Sequence, residues 1–157
     1  MQQIGIGILG LGTVGTGLCK LIESNKALIE SRLGFSLDVK GALVRDLKRE
    51  RILPQGKLTT DPDQILQTPE IQIIVEVMGG VEPAGDYIKR ALRAGKAVVT
   101  ANKELIARDG HALLELATKT EQDLYFEASV AGGIPIIRTP KESLTANRIR
   151  GLYGIIN

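Results

Sequence analysis

The glycine run Gly10-Leu11-Gly12-Thr13-Val14-Gly15 stands directly behind the apolar run Ile4 to Leu9 and directly ahead of a stretch with helical spacing. A strand, a glycine turn and a helix in that order form the dinucleotide-binding fingerprint in the context it requires. Gly10 permits the tight turn, Gly12 lets the backbone approach a diphosphate, and Gly15 lets helix and strand pack closely. The free N–H groups of the helix start then face the anion. Gly10, Gly12, Thr13, Val14 and Gly15 are therefore the candidate phosphate-side contacts. The apolar positions Val14, Leu18, Leu21, Ile22, Leu28 and Ile29 fall at helical spacing and predict one helix over Val14 to Ser31 with a single apolar face.

A chain of 157 residues has the length of one ordinary domain with a substantial core. With 43% apolar and 24% charged residues it matches a globular protein, which sets aside disordered and fibrous classes. A net charge of +2, charges of alternating sign and only 3% aromatic residues leave neither a basic tract nor a stacking platform, so nucleic acid is not expected as a partner. The Met1-Gln2-Gln3 start has no basic leader, and no run approaches the roughly 18 apolar residues of a membrane span, which predicts a cytoplasmic protein without a membrane partner. The single cysteine, Cys19, lies among apolar helix positions and is expected to be a packed thiol.

Strand-like runs at Ile4 to Leu9, Leu37 to Val44, Leu58 to Thr60, Ile71 to Val77, Ala97 to Thr100 and Leu124 to Ala128 alternate with helical segments. The later helices are predicted at Asp63 to Gln67, Pro83 to Ala94 and Glu104 to Lys119. That order predicts an α/β fold, a doubly wound parallel sheet of Rossmann type. After Ala128 the alternation breaks at Gly132-Gly133, Pro135 and Pro140, and a last apolar run, Arg148 to Ile156, reads as a strand. The expected organisation is a dinucleotide-binding domain over 1–130, with 131–157 forming a crossover and the first strand of a second domain that is otherwise missing.

In such sheets the ligand lies outside the carboxyl ends of the strands, so the residues that follow each strand are the candidates. After the second strand comes Arg45-Asp46: an acid there would bind the ribose hydroxyls of NAD, an arginine the 2′-phosphate of NADP. Arg45 comes first and Lys57 offers a second cation, which favours NADP or dual use. After the fourth strand, Gly79 and Gly80 allow close backbone approach. Glu76, among apolar neighbours, must be either paired or turned to the cleft, and its spacing leaves both open. Thr100 and Lys103 end the fifth strand where a nicotinamide would lie, and Lys103 could pass a proton to an alkoxide left by carbonyl reduction. Glu127 precedes a loop of exposed carbonyls suited equally to a hard cation or to a hinge. His111 has no partner at ligand spacing and is expected on a helix surface.

Taken together, Gly10 to Gly15, Val44-Arg45-Asp46, Leu58 to Asp61, Val98 to Lys103 and Glu127 to Pro135 resemble homoserine dehydrogenase. That family uses NAD or NADP to interconvert aspartate 4-semialdehyde and homoserine in threonine, methionine and isoleucine biosynthesis. The resemblance implies that Lys103 is one of two lysines in acid–base chemistry and contacts the cofactor. It also implies that Glu127 with the carbonyls of Val130, Gly132 and Ile134 holds a monovalent cation, typically sodium, and that Arg45 and Lys57 lie at the adenosine ribose or its phosphate. Family members extend further into a substrate and dimerisation domain, so a homodimer is implied for the complete protein, and this chain alone is expected to bind dinucleotide with negligible turnover. The alternatives are a related oxidoreductase of an amino acid or sugar, or a non-catalytic NAD(P) sensor.

Overall fold

Alternation of apolar residues along short strands, with longer amphipathic segments between them, produces a parallel sheet covered on both faces. The structure, a computed structural model, describes residues 2–49, 51, 53, 56–151, 153 and 154. The elements are β1 (Gln2–Leu9), α1 (Thr13–Ser24), α2 (Lys26–Leu33), β2 (Phe35–Leu43), β3 (Lys57–Thr59), α3 (Asp63–Leu66), β4 (Ile73–Glu76), α4 (Ala84–Arg93), β5 (Ala97–Thr100), α5 (Lys103–Lys119) and β6 (Leu124–Tyr125). The six strands lie in the order β3-β2-β1-β4-β5-β6 and every pairing is parallel. This is the doubly wound arrangement expected from the alternation. Its strand order reverses between β1 and β4, which opens a crevice beyond their carboxyl ends.

Each face of the sheet has its own core. Ile6, Ile8, Val39, Ala42 and Val44 pack against Leu11, Cys19 and Ile22 on one side. Leu9, Leu43, Ile74 and Val98 pack against α3, α4 and α5 on the other, with Ile88, Leu92, Leu105 and Leu113 fully buried. Burial pushes the Cys19 thiol above its ordinary value, in keeping with a packed side chain.

Three expectations need correction. The first helix is two, broken at Asn25, and its buried positions are Gly15, Cys19 and Ile22. Val14, Leu21 and Leu28 are instead 60%, 58% and 47% exposed. At Gly15 the helix meets the glycine loop too closely for any side chain, while Cys19 and Ile22 pack into the core further along, Ile22 as its spacing predicts. The run after Tyr125 leaves the sheet as a single turn, Glu127–Ser129, because Phe126 has already turned out of extended geometry (φ −135°, ψ 18°). The last run, Arg148 to Ile156, shows no strand among its described residues, while Leu152, Ile155 and Ile156 lie outside them.

At the amino end of the sheet, Lys96 is 5% exposed, and its Nζ donates to the carbonyls of Thr68 at 2.7 Å and Ile71 at 2.5 Å. It ties the turn before β4 to the start of β5. Desolvation holds this ammonium below its ordinary 10.5, partly countered by Glu70. Between the lowered folded value and 10.5 the unfolded chain binds more protons than the folded one, so this group makes stability rise with pH there. Urea unfolding of Lys96→Met should show a loss of about 1–3 kcal/mol at neutral pH from the two unpaired carbonyls. The gap to the parent chain should widen through the alkaline window below 10.5. A gap that narrows there would contradict the assignment.

Candidate functional site

The turn between β1 and α1 is shaped by two constraints on side chains. Gly10 has φ +100°, and its N–H donates to the Leu43 carbonyl at 3.1 Å, fastening the turn to the end of β2. A Cβ on Gly15 would stand 2.3 Å from the Gly10 carbonyl oxygen, so the first turn of α1 can pack against the loop only with hydrogen at that position. Gly12 differs: it is extended, with φ −90°, and a Cβ there would meet nothing within 4 Å. Its missing side chain leaves open space on the solvent side. No side chain caps α1 and no acid lies in its first turn, so its leading N–H groups face outward without a competing acceptor.

A cleft of about 520 Å³ opens at this point, at the carboxyl end of the sheet where the strand order reverses. Gly10, Leu11 and Gly12 form its floor beside Leu43, Val44, Val77 and Met78, with Thr60, Pro83 and Tyr87 on the walls. Arg45, Arg49 and Arg51 bring three guanidinium groups to one side. Arg51 donates to the carbonyls of Asp46 and Arg49, which folds the 45–51 loop around its own arginine. The Asp46 carboxylate accepts the Lys48 N–H at 2.8 Å instead of lining the cleft. The residues present fit a dinucleotide: a floor where Gly10 and Gly12 carry no side chain and Leu11 is packed in the core, open helix N–H groups for a diphosphate, and a cationic wall on the β2 side.

Of the sequence candidates, the cleft gathers Gly10, Gly12 and Arg45, with Thr13, Val14 and Gly15 in the helix turn behind its floor. Lys57 is not among the lining residues. It opens the short strand β3, about 10 Å of extended chain before the carboxyl end where Thr60 reaches the cleft. Arg49, Arg51 and Tyr87 were missed. The spacing of arginines at 45, 49 and 51 was the available signal for the first two, although such a run usually reads as a solvated loop.

The other half of the crevice, beyond β4 and β5, holds Gly79, Gly80, Thr100 and Lys103. Glu76 is fully buried and paired rather than turned to the cleft: its Oε2 accepts the Thr100 hydroxyl at 2.6 Å, and its Oε1 accepts the N–H groups of Met78 at 2.8 Å and Gly79 at 3.3 Å. Thr100 is fully buried, so its hydroxyl faces Glu76 and not solvent. Lys103 is the first residue of α5 and is exposed. Among the described residues, no carboxylate lies within ion-pair distance of it.

The Glu127 carboxylate fastens the chain that follows it. Its Oε1 and Oε2 accept the N–H groups of Ile137 at 2.7 Å and Arg138 at 2.8 Å, and the Ile134 carbonyl accepts the Ile136 N–H at 2.8 Å. Each of these oxygens keeps a further lone pair, so the bonds leave the carboxylate and carbonyls able to accept more. Among the described residues there is no cluster of three or more histidine, cysteine or acidic side chains. His111 is 91% exposed beside Glu115, as expected for a helix surface.

Comparison with known proteins matches residues 10–127 to the family model described as homoserine dehydrogenase, NAD binding domain. The chain is 46% identical to a homoserine dehydrogenase of Bacillus subtilis, covering 100% of this chain and 37% of that protein. With the homoserine dehydrogenase of Lactococcus lactis it shares 46% identity over 99% of this chain and 37% of that one. The chain thus spans little more than a third of the length of these relatives. Its fold superposes on a homoserine dehydrogenase from Thiobacillus denitrificans with a TM-score of 0.87 and 45% identity, over 94% of this chain and 35% of that one. It also superposes on a hyperthermophilic archaeal homoserine dehydrogenase in complex with NADPH with a TM-score of 0.69 and 25% identity, over 88% of this chain and 48% of that one.

The two glycines make opposite predictions. Gly12→Ala should fold with at most about 1 kcal/mol lost at the helix cap, yet bind NADPH at least about tenfold more weakly because the methyl group fills the diphosphate's place. Gly15→Ala should destabilise the fold by about 1–3 kcal/mol through overpacking. Thermal unfolding and dinucleotide titration of both variants separate the effects. Full NADPH affinity in Gly12→Ala would show that the diphosphate does not lie on this turn.

Proposed function

We propose that this chain, which belongs to the homoserine dehydrogenase family as its NAD-binding domain, holds the dinucleotide for the NAD(P)-dependent interconversion of aspartate 4-semialdehyde and homoserine. The observation that carries this is the cleft itself, with the bare glycines Gly10 and Gly12 in its floor at the start of α1. When bound, the nicotinamide supplies the hydride acceptor or donor. The chain's own residues do the rest: α1 and the glycine turn bind the diphosphate, while β4, β5 and their following turns orient the reactive half. Lys103 holds the proton exchanged with the substrate oxygen. An ammonium at a strand end, free of any described carboxylate partner, is placed for that role.

The cofactor preferred is NADP. Arg45, Arg49 and Arg51 line the cleft and the Asp46 carboxylate does not, so the side reserved for the adenosine ribose favours a phosphate over two hydroxyls. Sodium held by Glu127 with the carbonyls of Val130, Gly132 and Ile134 belongs to the same proposal, on the lone pairs that the Ile137 and Arg138 N–H groups leave open, and no step here depends on it. The division into a dinucleotide-binding unit over 1–130 and a crossover over 131–157 is part of the same proposal, as are a homodimer and a cytoplasmic location for the whole protein. No helix among the described residues is long and apolar enough to cross a membrane.

Fluorescence titration tests the preference. NADPH should saturate the chain and NADH should bind at least about tenfold more weakly, with Arg49→Ala and Arg51→Ala each weakening NADPH by roughly three- to tenfold and sparing NADH. Equal losses for both coenzymes would remove the phosphate from this wall. Homoserine oxidation by the polypeptide alone should be negligible, because nothing within it is proposed to orient the substrate. In the protein that carries this domain, Lys103→Ala should lower kcat by about 10²- to 10⁴-fold.

A further inference from the structure

Buried carboxylates are costly unless fully paired, and one fully buried carboxylate stands between the two strands that bound the second half of the crevice. Glu76 and Thr100 are register partners on β4 and β5, with the Glu76 carbonyl also accepting the Ala101 N–H at 3.2 Å. The hydrogen bonds leading from this pair close a ring. Glu76 accepts the Thr100 hydroxyl at 2.6 Å, and the Thr100 oxygen accepts the Asn102 N–H at 3.0 Å. Asn102 donates through Nδ2 to the Gly80 carbonyl at 2.6 Å, and the Gly79 and Met78 N–H groups return to Glu76. The same Asn102 caps α5, its Oδ1 accepting the Leu105 N–H at 3.1 Å one turn above Lys103.

Within the ring every contact made by the Glu76 carboxylate is with a donor. The ring joins the Gly79-Gly80 turn, which has φ +74° and +72° and faces open space, to the start of α5. In a doubly wound sheet of this order the adenosine half of a dinucleotide lies over β1 and β2, and the nicotinamide half over β4 and β5. The arginines and the glycine floor of the cleft belong to the first half. The ring belongs to the second, and it touches no lining residue except Met78.

We propose that Glu76 is a positioning residue for the nicotinamide half of the dinucleotide, acting through the Gly79-Gly80 turn and, by way of Thr100 and Asn102, through the first turn of α5. This rests on the dinucleotide-binding function proposed above. A hydrophobic residue at position 76 would fill the same space but leave two N–H groups and a hydroxyl without an acceptor. The turn and the helix start would then set their separation independently, and preorganised contacts to the reactive ring would loosen.

The test uses two ligands that share the adenosine half, NADPH and 2′,5′-ADP, titrated by calorimetry against the parent chain, Glu76→Gln and Thr100→Val. In Glu76→Gln the amide that replaces Oε2 turns the Thr100 oxygen into an acceptor and leaves the buried Thr100 proton without one, and in Thr100→Val the link between Glu76 and Asn102 is removed with little change in volume. Each variant should weaken NADPH by about tenfold and leave 2′,5′-ADP within about twofold. The NADPH fluorescence enhancement on binding should fall with it, and Thr100→Ser, which keeps the hydroxyl, should restore both. Should Glu76→Gln fail to fold, Thr100→Val and Thr100→Ser decide the matter alone. Unchanged NADPH binding, or equal weakening of both ligands, overturns the inference while leaving the dinucleotide site standing. Failure of the parent chain to bind either ligand overturns both.

Discussion

A methyl group at position 15 would stand 2.3 Å from the Gly10 carbonyl oxygen, so the first turn of α1 reaches β1 only because that group is absent. From that approach the remaining geometry of the ligand end follows. The helix start is brought over the end of the sheet, Gly12 is left facing open space, and the leading N–H groups point into the crevice between β1 and β4. The inward face of α1 begins at the same approach, with Gly15 ahead of Cys19 and Ile22, while Val14 and Leu21 face outward. Close packing of helix on sheet and the open helix start proposed to receive a diphosphate are thus two consequences of one shortage of side chains.

The parts of the molecule legible in the sequence are those in which local pattern and tertiary environment agree. Strands β1, β4 and β5 appear as runs rich in isoleucine or valine because each is covered on at least one face, and β5 was read to the residue. The asymmetry of proline early and glycine late placed α4 between Pro83 and Gly95. The face of α1 was misread in part: Ile22 is buried as its spacing predicts, but the first turn makes its close approach through Gly15, which hydrophobic periodicity does not mark, and Val14 and Leu21 face outward. The break at Asn25 was also hidden, because apolar residues continue at helical spacing on both sides of it.

The candidate site was legible only where residue type alone decides the chemistry. Glycine at 10, 12 and 15 and arginine at 45 could be placed because few other roles suit them at a strand end. Lys57 does not line the cleft because it opens the three-residue strand β3 instead of following it. Arg49 and Arg51 reach the cleft through a loop whose path is set by hydrogen bonds to its own carbonyls, a feature no periodicity records. Glu76 offered two opposite readings, paired or turned to the cleft. What distinguishes them is the identity of a residue 24 positions away across β5.

The two halves of the crevice are built on different physical terms, and this bears on how such a domain can evolve. On the adenosine side, recognition comes from exposed or partly exposed arginines on a loop, whose charge acts through solvent and tolerates small displacements. On the side proposed for the nicotinamide, the Gly79-Gly80 turn presents bare backbone, and the Glu76 carboxylate buried beneath it acts through geometry. A loop can exchange cations and shift preference between coenzymes without disturbing the sheet. The buried carboxylate cannot be exchanged without changing its acceptors and donors together, because Met78, Gly79 and Thr100 all depend on it. On the proposed function, coenzyme choice is therefore the adjustable property of this domain, and the placement of the reactive ring beside Lys103 is the one held fixed.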